Sequence, residues 1–232
     1  MKSLILAALV AMSATLLASC TTEAPKQKND VYILVDNTDK VKYKEDVISS
    51  DVILNLVGKK GTVKFRSLTG VSINEESEIS LLVDGSTSVL RQDQIDPFVQ
   101  KLDSLKKKYL SITTEYKKSS LWEPVCEALN TLSAAAISEP GEKTMIIVSD
   151  MLENSEYCNF YKETDYGQVK VQLSKSGFSL PKKGNVKVII LFNPNQDNEK
   201  ERLHKKAMKF WEELFKEAGI KFVERANLNT KV

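Results

Sequence analysis

The sequence predicts an α/β domain: a doubly wound, mostly parallel sheet with one antiparallel hairpin and helices on both faces. Three observations lead there. Short apolar runs rich in β-branched residues, at 31–35, 145–148 and 186–192, have the length of strands buried on both sides. Stretches with apolar residues at helical spacing separate them. One pair of strand-like segments, 62–67 and 78–83, follows in succession with only a polar link between, as a hairpin with a long turn would.

Taken in order, residues 31–35 form a first strand with Tyr32 inside it and Asp36 at its end. Val47, Ile48, Val52 and Leu56 place a helix over 40–56, stopped by Gly58 and Gly61. The hairpin strands come next, joined through Gly70 and Asn74. Ile95, Phe98, Leu102, Leu105, Tyr109 and Ile112 line one face of a long helix, with Pro97 near its first turn. A second helix over 121–137 has Ser120 and Glu123 in capping-box spacing at its start and Pro140-Gly141 at its end. The strand at 145–148 ends in Ser149-Asp150, and the mixed stretch that follows holds a helix over 166–174. After the strand at 186–192, Leu203, Ala207, Phe210, Leu214 and Ala218 make 199–218 the clearest helix. Gly219 stops it, and 221–224 is a short last strand.

The front of the chain reads differently. Met1 and Lys2 give a basic start, an Ala-softened apolar stretch runs to Leu17, and small residues lead into a single cysteine. That stretch is too short for a spanning helix. Leu17-Ala18-Ser19-Cys20 resembles the lipobox of bacterial lipoproteins, which implies a signal peptide over 1–19 and a diacylglycerol-bearing Cys20 as the first mature residue. Residues 20–30, polar and without periodicity, read as a tether, and 31–232 as the globular domain. By the same resemblance, a residue other than Asp at Thr21 favours the outer membrane, with either face open. No later segment has a spanning length of apolar residues.

Charge excludes some partners. Lys and Arg number 33 against 31 Asp and Glu, so nothing points to nucleic acid. The clusters Lys106-Lys107-Lys108 and Lys205-Lys206 read as solvated helix faces. A single histidine, His204 on a Lys-rich helix, is expected to face solvent and leaves no material for a histidine-dependent triad or a zinc site. Cys126 and Cys158 are either a disulfide pair, in an oxidising compartment, or two unrelated thiols.

In a doubly wound sheet the ligand crevice lies at the carboxyl ends of the strands. Three places there gather oxygen ligands: residues 36–40, 118–122 and 149–154. Strand-end Asp residues with nearby hydroxyls make a hard, oxygen-only set suited to Mg²⁺ or Mn²⁺. Here the chain resembles the von Willebrand factor A domain family, a Rossmann-like three-layer sandwich whose metal-ion-dependent adhesion site is built from Asp-x-Ser-x-Ser, a Thr before a later helix, and an Asp after the fourth strand. Asp36 matches the first Asp, Thr38 the first hydroxyl, Ser119 the Thr position, and Asp150 the last Asp. Lys40 stands where the second hydroxyl belongs, and its ammonium can replace the ion electrostatically. The resemblance covers about residues 31–224 in its order of elements. The segment Asp84-Gly85-Ser86-Thr87-Ser88 fits the motif more closely, but choosing it leaves residues 31–67 without a role, so Asp84-Gly85 reads as a turn.

The resemblance implies a membrane-tethered binding module, not an enzyme, that docks a protein partner of the cell envelope or beyond it at Asp36, Thr38, Lys40, Ser119, Ser120 and Asp150. Asp36, Thr38, Ser119 and Asp150 would be the ligands if Mg²⁺ or Mn²⁺ takes part. Two alternatives stand beside it. A fainter similarity to haloacid-dehalogenase-type phosphotransferases would make Asp36 a nucleophile, and a structural envelope lipoprotein would leave the crevice inert. Capping alone is a further account of Asp36, Asp39 and Asp150.

Overall fold

The computed structural model describes residues 27–38, 43, 45–70, 75–84, 87–114, 118–162, 165–182, 185–192 and 198–229. Residues 1–19, expected to be a signal peptide, and Cys20, Asp39 and Lys40 lie outside them. Six strands form one sheet: β1 (Asn29–Asp36), β2 (Lys60–Leu68), β3 (Glu76–Leu82), β4 (Lys143–Val148), β5 (Val186–Leu191) and β6 (Lys221–Arg225). Their order is β3-β2-β1-β4-β5-β6, with all pairs parallel except the β2–β3 hairpin. The expected α/β class, parallel sheet and single antiparallel pair are all present.

Alternation along the strands sorts the core into two layers. Val31, Ile33 and Val35 of β1 face helices α1 (Ser50–Val57) and α2 (Ser88–Ser111), where Ile53, Phe98 and Leu102 are buried. Tyr32 and Leu34 point the other way, toward α3 (Trp122–Ser138), α4 (Tyr166–Ser174) and α5 (Asn198–Glu217). The amphipathic stripe of α5 buries Ala207, Phe210, Trp211, Leu214 and Phe215 in that layer. No helix among the described residues is long and apolar enough to cross a membrane.

Three expectations are corrected. The helix over 40–56 is replaced, within the described residues, by a 3-10 turn at Glu45–Val47 and the short α1. Helical spacing there loses to a tertiary contact: Ser49 N–H donates to Leu228 O at 3.1 Å and Leu228 N–H to Val47 O at 2.7 Å, so Ile48 bridges to the end of the chain and Ser49 is extended. Helix α2 begins before Ile95, because the Thr87 hydroxyl caps Leu90 N–H at 3.2 Å, and Pro97 therefore sits inside the helix. His204 is buried, not solvent-facing. Its Nδ1 donates to Asp150 O at 2.7 Å, its Nε2 meets Glu224 Oε1 at 2.9 Å, and its ring packs on Phe192.

At the amino-terminal end of the sheet, the buried Lys143 ammonium pairs with Asp30 at 2.8 Å and donates to Lys28 O at 2.7 Å. Gly141 passes so close that a Cβ there would lie 2.1 Å from Lys28 O, and its φ of +144° suits glycine.

Candidate functional site

The strand order reverses direction between β1 and β4, so the crevice of this sheet opens where those two strands end. Asp36 is the last residue of β1, and Ser149 and Asp150 follow β4 directly, with Val35 and Val148 in register. Asn37 fixes the loop beyond Asp36: its N–H donates to Leu68 O, and its amide donates to Ser67 Oγ at 3.0 Å and Tyr109 O at 3.1 Å.

Asp36 is the hub. Its Oδ1 accepts from Thr38 N–H at 3.0 Å and from the Thr38 hydroxyl at 2.5 Å. Its Oδ2 accepts from the Ser119 hydroxyl at 2.8 Å and the Ser149 hydroxyl at 2.9 Å. Four donors from three separate segments therefore converge on one carboxylate that is only 3% exposed. Hydrogen bonds to a charged acceptor contribute about 1.5–3 kcal/mol each, so this set holds the three loops in fixed relation.

Of the residues expected here, Asp36, Thr38 and Ser119 meet directly. Asp150 stands at the same end of the neighbouring strand, but its Oδ1 accepts from Leu152 N–H at 2.9 Å, in the turn-capping manner, and its Oδ2 lies 3.4 Å from the Tyr161 hydroxyl. Ser149, one residue earlier, makes the contact to Asp36 instead. Ser120 lines the pocket above but does not cap α3, which begins without a side-chain cap at Leu121. The expected capping box is thus absent.

Its place is taken by Glu153. Glu153 Oε2 accepts from the N–H groups of Leu121 at 2.7 Å and Trp122 at 2.9 Å, across 32 and 31 residues. The side chain is 1% exposed and its Oε1 has no hydrogen-bond partner of ordinary geometry. Burial pushes its pKa up to about 7, and the charge of Asp36 adds to this. The hydroxyl of Ser155 and the two helix N–H groups oppose the rise. Asn154 N–H donates to Ser119 O at 2.7 Å, so the loop that carries Glu153 also holds Ser119 toward Asp36. Neither Ser149 nor Glu153 carries a motif signal. A helix start with Leu at its cap position is the one sequence hint that an acid must come from elsewhere.

The turn between them is strained. Met151 is fully buried with φ +61°, and no other non-glycine residue among those described has positive φ. Met151 N–H donates to Ser149 Oγ and its carbonyl accepts from Trp211 Nε1–H at 3.0 Å, while His204 holds the carbonyl of Asp150. Strain maintained by so many contacts is characteristic of functional turns.

Above this floor lies a pocket of about 330 Å³. Thr38 and Ser120 form part of its lining, beside an Arg66–Glu127 ion pair at 2.7 Å and a Tyr157–Glu123 hydrogen bond at 2.8 Å. Lys118 is exposed at this pocket and makes no ion pair among the described residues. Cys126, buried in α3, and Cys158, half-buried in the loop, are both free thiols. Burial and the nearby Glu153 raise both, Cys158 to about 12, so neither is a ready nucleophile.

Among the described residues no group of three or more His, Cys, Asp or Glu side chains is arranged to hold a metal. The hydroxyl oxygens of Thr38, Ser119 and Ser149 retain lone pairs that a hydrated Mg²⁺ or Mn²⁺ can use, with Asp36 beneath them. No model of a known protein family matches this sequence, and no curated protein sequence matches it either.

Proposed function

We propose that this chain is a lipoprotein of the bacterial cell envelope, anchored through Cys20 in the outer membrane, whose domain is a binding module with the β1–β4 crevice as its docking site. A von Willebrand factor A-like reading of the fold order and of Asp36, Thr38 and Ser119 supports it. The observation that carries it is the convergence of Thr38, Ser119 and Ser149 on Asp36 beneath an open pocket. Inert strand ends have no need of three hydroxyls from three segments on one acid.

The favoured occupant is a carboxylate of a protein partner. Lys118 is exposed at the pocket and makes no ion pair among the described residues, and the family resemblance assigns Lys40 to a ligand position. The same hydroxyl set, with Asp36 and Asp150, would accept Mg²⁺ or Mn²⁺ as an intermediary through the lone pairs left free while the protons stay on Asp36. The phosphotransferase alternative is disfavoured because both oxygens of Asp36 are already occupied by donors.

Two measurements test this. Titration of Mg²⁺ and Mn²⁺ by calorimetry should give no heat with either wild type or Asp150→Ala in the metal-free mode; heat that Asp150→Ala abolishes would assign the ion-mediated one. An envelope partner captured by the wild type should be lost with Lys118→Glu, a change at an exposed position. Equal capture by both proteins, or phosphate release from an aryl phosphate that Asp36→Asn abolishes, would end the docking reading.

A further inference from the structure

The loop after β4 is fastened to the start of α3 by an acid used in an unusual way. A helix start is ordinarily capped by a short polar side chain next to it in sequence. Here Glu153, from the far side of the crevice, supplies Oε2 to Leu121 N–H at 2.7 Å and Trp122 N–H at 2.9 Å. Its Oε1 is also buried and has no hydrogen-bond partner of ordinary geometry, which is true of no other buried side-chain oxygen or nitrogen among the described residues.

What surrounds that oxygen decides which form of the acid fits. A carboxylate excluded from water needs a cation or a full set of donors, and lacking both it is better accommodated with its proton. Facing Glu153 are Asp36 from β1, the Cys126 thiol from α3, and the Ser155 hydroxyl and Cys158 thiol from its own loop. None is a cation, and Glu153 makes no ion pair among the described residues. The neutral acid therefore suits the closed site, whereas ionisation sets a second negative charge in the field of Asp36 with one oxygen unsolvated. The pKa of about 7 belongs to this closed arrangement.

The same clasp holds one wall of the crevice. Asn154, Ser155, Glu156 and Tyr157 line the pocket. Asn154 N–H holds Ser119 O at 2.7 Å, Ser119 in turn donates to Asp36, and Phe160 N–H closes the loop on Glu153 O at 2.8 Å. Two residues earlier, Met151 carries backbone strain at φ +61°, which release of the loop can relax. We propose that Glu153 is a proton-operated latch: protonated, it clasps the loop to the start of α3, and when the proton passes to solvent the carboxylate leaves the two helix N–H groups and residues 153–158 part from Ser119. The crevice is intact in acid and opens toward neutral pH. For docking this means capture that weakens as pH rises, a consequence that rests on the reading given above, whereas the latch itself does not.

Amide hydrogen exchange on the full chain, without partner or added metal, tests it from about pH 5 to about pH 7.5 at several low urea concentrations, with each rate divided by that of the same amide in an unstructured chain. A proton held with a pKa of about 7 when closed, and with the ordinary 4.5 when open, makes opening more favourable across that interval. Protection over 119–122 and 153–158 should fall more than about tenfold from the lower pH to the higher and vary little with urea, as for a local opening. Amides of β1 and β4 should stay better protected and respond steeply to urea. Glu153→Gln, which cannot titrate, should show the same loop protection at both ends of the range. Loop protection that is independent of pH in the wild type, or that matches β1 and β4 in size and urea response, overturns the proposal, and these wild-type readings decide it even if the variant does not fold. A pH response retained by Glu153→Gln overturns it too. No partner enters the experiment, so a flat exchange profile tells against the latch alone, and equal capture by wild type and Lys118→Glu tells against docking alone.

Discussion

Glu153 concentrates several opposing effects in one side chain. It is buried, caps a helix with one oxygen, leaves the other unpartnered and lies near a second acid. Its pKa of about 7 in the folded chain exceeds the ordinary 4.5, so the native state holds a proton that the unfolded state releases between those values. Stability should therefore fall as pH rises from about 4.5 to about 7, by on the order of 3 kcal/mol if the full shift is expressed. Glu153→Gln keeps an acceptor for Leu121 and Trp122 N–H and cannot titrate, so urea midpoints of the variant should lack that decline and overtake wild type toward neutral pH. A variant that tracks the wild-type slope would show that another group is responsible. At Met151 two effects compete: glycine relieves roughly 1–3 kcal/mol of backbone strain but removes a fully buried side chain worth about 2–5 kcal/mol. Met151→Gly should thus destabilise, modestly, as read by the same denaturation. Asp36 could be found in the sequence because it ends a clear apolar run, and Thr38 and Ser119 through the motif resemblance that starts from it. Glu153 could not, since its partners are about thirty residues away, and His204 was misplaced because lysines flank it on the helix while its own position faces the sheet edge.

Elements were legible wherever their stabilisation is local. The stripe of α5 and the run of α4 appear almost to the residue, and the apolar strands were fixed by composition alone. Helix starts were less so. Ser120 has the spacing of a capping residue, yet the α3 N–H groups are taken by Glu153, so Ser120→Ala should cost little. Ser119→Ala removes a donor from a buried acceptor and should cost about 1–3 kcal/mol in thermal or urea unfolding. If the two alanine variants are equally stable, the assignment of roles at 119 and 120 is wrong. Thr87, a variable position of the Asp84-to-Ser88 segment, caps the start of α2.

Across the whole molecule, the two ends of the sheet are held by different physics. The crevice end is tied by hydroxyls on Asp36. The other end is tied by a buried ion pair, Lys143 with Asp30, in which Thr62 also donates to Asp30 at 2.5 Å. Burial alone would raise the Asp30 pKa, but Lys143 and Thr62 hold it below the ordinary value, so this contribution is present at neutral pH and lost as pH falls through the acid range. Lys143→Ala leaves a buried carboxylate without its cation and should cost about 3–5 kcal/mol, with the joint change Lys143→Met, Asp30→Leu costing far less. A double-mutant cycle by chemical denaturation checks both figures. Topology was legible from the alternation of elements, whereas this ion pair joins residues more than a hundred positions apart and had no signature. The bridge between Ile48 and Leu228 belongs to the same class of long-range closure. Its consequence is one of order: the segment around Ser49 cannot take its final shape until the stretch around Leu228, about 180 positions later, is present to pair with it, so this part of the domain closes late and its first helix depends on a latch made far along the chain.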